Sequence, residues 1–320
     1  MRRKILFGVI LMVVFVISLF ELYQVTLHNM VDNKKEPILF GATYMTLNNP
    51  FFEVIDEEMR NVIEAQGDIM LTMDPELSLE KQIHQIQYLI EQGVKVLIVN
   101  PVDSKGLIDV LKQAKQAGII VIAVDTNVYD GNDFVDYTVV SNNYQAGQLC
   151  ALDMMKEKKE AKILILTHEA AYSAAERIQG FKDAIKDKAG YQIVAEVECE
   201  GQLEKSMPLV VDIMEQGYQF DVVMALNDPA ALGAIAALQQ MEILDQVLVY
   251  GVDGTPEAKI LVHDGFMQAT IAQYPKTMGK KAAAVAYQLL AGNKSYDDEK
   301  IKVEIINQEN VEQYSLEDWQ

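Results

Sequence analysis

The sequence is poor in the residues on which most protein chemistry depends. It holds two cysteines, Cys150 and Cys199, in separate predicted elements and with no metal or redox spacing. Each reads as a small buried hydrophobe. Its four histidines, His28, His84, His168 and His263, are scattered without a ligand pairing, so no metal site is read. Basic residues are also scarce: 27 Lys+Arg against 47 Asp+Glu leave a net charge of −20. That balance argues against nucleic acid as a partner, because phosphate binding needs a basic face. There is no glycine-rich phosphate loop, no serine in a glycine elbow and no Cys–His pairing at a readable spacing. No catalytic group and no cofactor are expected.

A long apolar run occurs at the N-terminus. Arg2, Arg3 and Lys4 precede a nearly uninterrupted hydrophobic stretch from Ile5 to Phe20, the pattern of an export signal. The run is short for a spanning helix, which wants about 20 apolar residues, but Leu22, Tyr23 and Val25 extend it. Glu21–Val25 offers no small-x-small cleavage pattern, and no cysteine stands nearby to take a lipid. The reading is an uncleaved anchor with the body outside the cytoplasm, the alternative being a removed signal peptide. The polar stretch His28–Pro37 reads as a linker.

The remaining chain is long enough for two compact domains. From Ile38 onward, short apolar runs alternate with amphipathic segments, the pattern of a parallel sheet covered on both faces. Strands are predicted at 38–43, 69–72, 94–99, 119–124 and 134–140, with helices between them. After Ser141 the same grammar restarts, with strands at 162–167, 193–197, 222–226, 247–252, 267–271 and 301–306. Helices are predicted at 143–158, 173–186, 204–216, 230–241 and 276–290. The expected fold is α/β: two similar doubly wound parallel-sheet lobes facing a cleft.

The most informative stretch is Thr46–Phe52. Asn49 is a good helix N-cap and Pro50 suits the first helical position. Phe51 and Phe52 are thereby presented where a strand ends, which is where open α/β folds bind ligands, although each ring also suits a core position. Further on, Asn100, Asp125, Asn227, Asp253 and Gln273 each follow a predicted strand, and one arginine, Arg177, lies on a helix of the second half. Singly these are ordinary turn and cap residues. As a set they suit a polyol: carboxylates accept from neighbouring hydroxyls, amides both give and accept, and aromatic rings pack on C–H faces. Asp125 and Asp253 as a glycosidase acid/base pair is the weaker reading, since flanking amides fit binding without chemistry.

These stretches resemble the ribose-type periplasmic sugar-binding proteins, the substrate receptors of ABC importers. The resemblance runs from Ile38 to about Ile306 and is carried by TLNNPFF (46–52), VNPVDS (99–104), SAAERIQGF (173–181), NDPAALGA (227–234), GVDGTP (251–256) and ATIAQ (269–273). It implies a type I periplasmic binding protein fold with a hinge of three crossovers, near Ser141, Tyr274 and Lys302. Residues 1–36 would then be the N-terminal segment and linker. Residues 37–140 with 274–302 would form lobe 1, and 141–273 with 303–320 lobe 2. The ligand residues it implies are Asn49, Phe51, Phe52, Asn100, Asp125, Arg177, Asn227, Asp253 and Gln273. Three positions depart from the pattern. Met45 stands where a small hydroxyl residue is expected and Thr126 where an arginine is expected, and an aromatic near Glu200 is replaced by Gly201 and Gln202. These departures point to altered specificity: a monosaccharide-like polyol, not necessarily ribose.

The expected partners are that small molecule and an ABC permease, with the chain monomeric and tethered by its N-terminal segment. The alternative is a membrane-anchored sugar receptor signalling to a sensor histidine kinase or chemoreceptor. A sugar-responsive transcription factor shares the core fold but needs a helix-turn-helix where this chain has a hydrophobic segment.

Overall fold

The computed structural model describes residues 12, 15–23, 36–293 and 298–320. The chain divides into a unit of residues 1–38 and a body, Leu39–Gln320. Within the first unit residues 15–23 are helical and exposed. Among the described residues no helix is long and apolar enough to cross a membrane. The basic residues Arg2–Lys4, much of the expected anchor and most of the expected linker lie outside the described residues.

The body contains two six-stranded sheets built to one plan. In the first, β1 (Leu39–Thr43), β2 (Ile69–Met73), β3 (Val96–Val99), β4 (Ile120–Val124), β5 (Tyr137–Ser141) and β11 (Glu299–Ile301) lie in the order β2-β1-β3-β4-β5-β11, all parallel. In the second, β6 (Ala161–Thr167), β7 (Tyr191–Glu198), β8 (Val222–Ala225), β9 (Leu248–Asp253), β10 (Ala269–Ala272) and β12 (Glu304–Asn307) lie in the order β7-β6-β8-β9-β10-β12. There β12 alone runs antiparallel to its neighbour. In both sheets the order reverses beside the first strand, creating the crevice at which such sheets bind ligands. The chain passes between sheets after β5, after β10 and between β11 and β12, so three crossovers join the lobes.

The helices of the first lobe are α1 (Pro50–Ala65), α2 (Leu79–Glu91) and α3 (Ile108–Gln116). Those of the second are α4 (Asn143–Glu157), α5 (Tyr172–Ile185), α6 (Leu203–Glu215), α7 (Asp228–Gln240) and α8 (Pro256–His263), and α9 (Pro275–Leu290) returns to pack on α1. The cap expected for α1 is present: Asn49 accepts from the Phe51 N–H at 3.0 Å and Pro50 opens the helix. Its apolar stripe buries Ile55, Met59 and Ile63. Central strands such as β3, with all four residues buried, are continuous apolar runs because both faces are covered.

Two sequence expectations are corrected. The single last strand, 301–306, is two: Glu299–Ile301 joins the first sheet and Glu304–Asn307 the second, with the crossover at Lys302–Val303. Apolar residues recur through the stretch, at Ile301, Val303, Ile305 and Ile306, but its halves pair with strands of different lobes. Helix α8 was not anticipated, although Thr255 caps it, accepting from the Ala258 N–H at 3.0 Å, and Pro256 opens it. Cys150 and Cys199 are both free and buried, and burial pushes both thiols up.

Helices α4 and α5 approach closely where each carries a glycine. A Cβ on Gly147 would lie 1.8 Å from the Arg177 carbonyl oxygen, and one on Gly180 would lie 2.0 Å from that of Tyr144. Backbone, not a flexible side chain, occupies the space, so the helices must separate to admit a methyl group. Gly147→Ala should therefore lower stability by about 1–3 kcal/mol through overpacking. A urea midpoint equal to that of the parent would show that the helices do not pack this closely.

Candidate functional site

Strand ends bring the polar residues together. Asp125 directly follows β4, Asp253 ends β9, and both have positive φ, 63° and 147°. L-residues adopt such backbone at a cost of order 1–3 kcal/mol, and it occurs where a side chain must be aimed. Here the two lobes each aim a carboxylate at the same arginine. Arg177, on α5, is 4 % exposed, with Nη2 3.9 Å from Asp125 Oδ1 and Nη1 3.8 Å from Asp253 Oδ1. Its orientation is fixed elsewhere: Nε donates to Asn143 Oδ1 at 2.8 Å and Nη1 to the Leu226 carbonyl at 2.9 Å. The fork is thus held beyond direct hydrogen-bond distance of both carboxylates, close enough for charge compensation and far enough apart for a ligand oxygen to serve both.

Around this group lies an interlobe cavity of about 330 Å³. That is the small end of the range for ligand sites. Its lining includes Met45, Asn49, Phe51, Phe52, Asp125, Arg177, Gly201, Asn227 and Asp253. Phe51 and Phe52 are both nearly buried and meet edge to face, ring centroids 5.5 Å apart. They are core and cavity wall at once. Asn227 is the N-cap of α7, its Oδ1 accepting from the Ala230 N–H at 3.0 Å and its Nδ2 donating to the Gly201 carbonyl at 3.0 Å. Gly201 has φ 66°, and a Cβ there would lie 2.8 Å from Asn227 Nδ2.

The other expected residues stand one layer back. Asn100 donates from Nδ2 to Asp125 Oδ2 at 3.1 Å and accepts from the Met45 N–H at 3.0 Å. Gln273 donates from Nε2 to Asp253 Oδ1 at 2.7 Å. These amides hold the aspartates from behind. Thr126 is buried and its hydroxyl meets that of Ser173 on α5, across the two lobes. Ser104 makes a similar bridge, its N–H donating to the Ala170 carbonyl at 3.0 Å and its Oγ accepting from the Tyr172 N–H at 3.0 Å. Thr126 thus stands in an interlobe contact.

Among the cavity residues that the sequence reading did not single out are His168 and Trp319. His168 follows β6, so the strand-end rule applied to the other positions would have found it; its Nδ1 is 2.9 Å from Glu198 Oε1 and its buried Nε2 has no hydrogen-bond partner among the described residues. Trp319 reaches the cavity from the C-terminal segment, which carries no strand or helix signal. Asp253 Oδ2 is likewise buried without a hydrogen-bond partner among the described residues. Buried polar atoms left unpaired beside a cavity are costly unless a ligand or water serves them.

Burial dominates the titration of both aspartates. It lifts the Asp125 carboxyl to about 6, against the lowering influence of the Arg177 charge and the Asn100 hydrogen bond. Asp253 is raised well above the usual carboxylate range by burial and by the charge of Asp228, with Arg177 again opposing. An acid whose folded-state pKa is raised binds its proton in the native state before the unfolded chain does. Stability from this source is therefore complete below about pH 4 and is lost as pH rises through about 6. The free protein should become more stable between pH 7 and pH 5, and this gain should shrink in Asp125→Asn, which keeps the shape and removes the titration. Equal pH dependence of Tm in parent and variant would count against a buried, titrating Asp125.

The family model described as a periplasmic binding protein domain matches residues 40–294. The ribose import binding protein of Salmonella typhimurium is 34% identical over 251 residues, covering 78% of this chain and 83% of that protein. The ribose import binding protein of Bacillus subtilis is 30% identical over 264 residues, covering 82% and 84%. Among solved structures, an ABC transporter solute binding protein from Bacillus halodurans with bound myo-inositol superposes with a TM-score of 0.81 at 28% identity, covering 88% of this chain and 99% of that one. The Caulobacter myo-inositol binding protein gives 0.81 at 26% identity, covering 87% and 96%. With two doubly wound lobes, a three-crossover hinge and a polar interlobe cavity in place, the chain belongs to the periplasmic binding protein family, as an extracytoplasmic ribose-type sugar-binding protein of ABC import and not an enzyme.

Proposed function

We propose that the interlobe cavity binds one monosaccharide or cyclic polyol and that closure of the lobes around it makes the form an ABC permease recognises. The observation that carries this reading is the Arg177 fork held 3.8–3.9 Å from Asp125 and Asp253, two carboxylates contributed by different lobes. In this proposal each aspartate accepts from ligand hydroxyls, Arg177 donates to a ring or hydroxyl oxygen, and Asn49 and Asn227 serve hydroxyls at the two helix N-termini. Phe51 and Phe52 cover the apolar C–H face. Asn100 and Gln273 act by holding the aspartates. The proposed closing bodies are residues 37–140 with 274–302 and residues 141–273 with 303–320, a division supported by the two sheets apart from Ser141, which ends β5 of the first sheet. A ligand touching both bodies favours closure by its differential affinity for the closed form.

Met45 and Gly201 set which polyol is taken by lining the cavity, and Thr126, which stands in the interlobe contact, acts on that choice indirectly. Thr126 adds no charge, leaving Arg177 to face two carboxylates, and Gly201 adds no side chain to its wall. Such a site suits a neutral polyol offering several donors. The relatives bind ribose or myo-inositol by their names, so both belong in the first panel. Import is the reading favoured over signalling, because the curated relatives are import proteins. We further propose that the body acts as a monomer held at the outer face of the membrane by the uncleaved N-terminal segment, supported by the basic-then-apolar run and the missing cleavage pattern.

A thermal-shift screen of residues 36–320 against D-ribose, D-allose and myo-inositol tests the ligand class. A polyol at ~100 times its Kd should stabilise by about 2.7 kcal/mol. Silence across pentoses, hexoses and inositols would sink the polyol reading. With a ligand in hand, Asp125→Ala and Arg177→Ala should each weaken binding at least about tenfold while the fold survives. Parent-like affinity in both would mean that the ligand binds elsewhere.

A further inference from the structure

We infer that the C-terminal residues Asp318–Gln320 are part of the binding machinery, with Trp319 forming the aromatic wall that closes the cavity. The inference rests on the reading of the interlobe cavity as a polyol site. Trp319 lines that cavity and packs against Phe51, ring centroids 5.6 Å apart and planes at 63°. Phe51 belongs to α1 of the first lobe, whereas the chain reaches Trp319 from β12 of the second. The contact therefore spans the cleft and belongs to the closed arrangement.

The segment is fixed by its neighbours on both sides of the ring. Lys259 of α8 is fully buried, and its ammonium donates to the Asp318 carbonyl at 2.5 Å and to Gln320 Oε1 at 3.3 Å. A buried ammonium demands such acceptors, so the lysine fixes the tail. Lys276, at the start of α9 just past a crossover, pairs with the Asp318 carboxylate at 2.6 Å and donates to the Trp319 carbonyl at 3.3 Å. Gln320 Nε2 donates to the Asp253 carbonyl at 3.1 Å and to the Gln273 carbonyl at 2.6 Å. It thereby clamps the two strand ends that carry the site's second carboxylate and its supporting amide. A Cβ on Gly254 would lie 2.5 Å from Gln320 Nε2, so the glycine leaves room for the clamp.

The consequence is a third ring beside Phe51 and Phe52, on a cavity where Gly201 contributes no side chain. An indole face packs on the C–H face of a polyol as a phenyl ring does, with more area. Because it arrives from the lobe opposite Phe51, Trp319 binds ligand only as the cleft shuts. Its position makes it a specificity-determining wall as well as a latch.

Trp319 is the sole tryptophan of the chain, so emission excited to the red of tyrosine absorption reports on this residue alone. The experiment titrates the protein with D-ribose, D-allose and myo-inositol while following Tm and tryptophan emission in parallel. The polyol that raises Tm should change the emission with the same apparent midpoint. Trp319→Ala should weaken that binding by about tenfold or more, and Trp319→Phe should keep it within about threefold, since a ring restores the wall. A Tm rise with unchanged emission, together with parent-like affinity in Trp319→Ala, would overturn the role of the tail while leaving the polyol site standing. No Tm rise with any polyol would overturn the site reading and this inference with it. Should Trp319→Ala fail to fold, the emission titration of the parent decides the matter: emission unchanged at a concentration of polyol that raises Tm would overturn the role of the tail.

Discussion

The structure depends on a cation buried between two lobes. Taking a guanidinium out of water costs several kcal/mol unless its charge and donors are met. Arg177 meets its donors within the second lobe, through Asn143 and the Leu226 carbonyl, and its charge through Asp125 and Asp253. Asp125 comes from the other sheet, so both carboxylates face the charge only with the lobes together. The 3.8–3.9 Å separations leave that compensation unfinished by direct hydrogen bonds. In the proposed reading, a ligand oxygen reaching both fork and carboxylate would finish it, and binding would be tied to closure by one electrostatic constraint.

The supporting layer follows from the same constraint. A carboxylate aimed at a buried arginine must be held there, and each lobe does so with an amide at the neighbouring strand end: Asn100 for Asp125, Gln273 for Asp253. Each lobe also accepts positive φ at its aspartate. The lobes are thus alike in mechanism as well as in strand order, each presenting an asparagine-capped helix, a strained aspartate and a supporting amide. What differs is what each adds: Phe51 and Phe52 from the first, and Arg177, His168 and Trp319 from the second.

Much of this was legible in the sequence because it is local. Apolar runs of strand length alternating with amphipathic helices determine a covered parallel sheet, and Asn49 followed by Pro50 determines a helix start, since cap and first turn are neighbours along the chain. Polar residues at strand ends were visible for the same reason. The split of 299–307 into two strands was not, because the partners that divide it, 137–141 and 269–272, are remote in sequence and in different lobes.

The sequence by itself therefore determined the two-lobed α/β architecture and the inventory of polar and aromatic groups at the strand ends. It could not decide which of them would face the cavity and which would stand behind. Tertiary structure put Asn100 and Gln273 behind the aspartates, turned Thr126 into an interlobe contact and brought Trp319 from the C-terminal end to Phe51. The physical reason is that local propensity acts over a few residues, whereas a cleft is assembled from strand ends as far apart in the chain as Thr43 and Ala272, by burial of charge and packing of rings that no local pattern encodes.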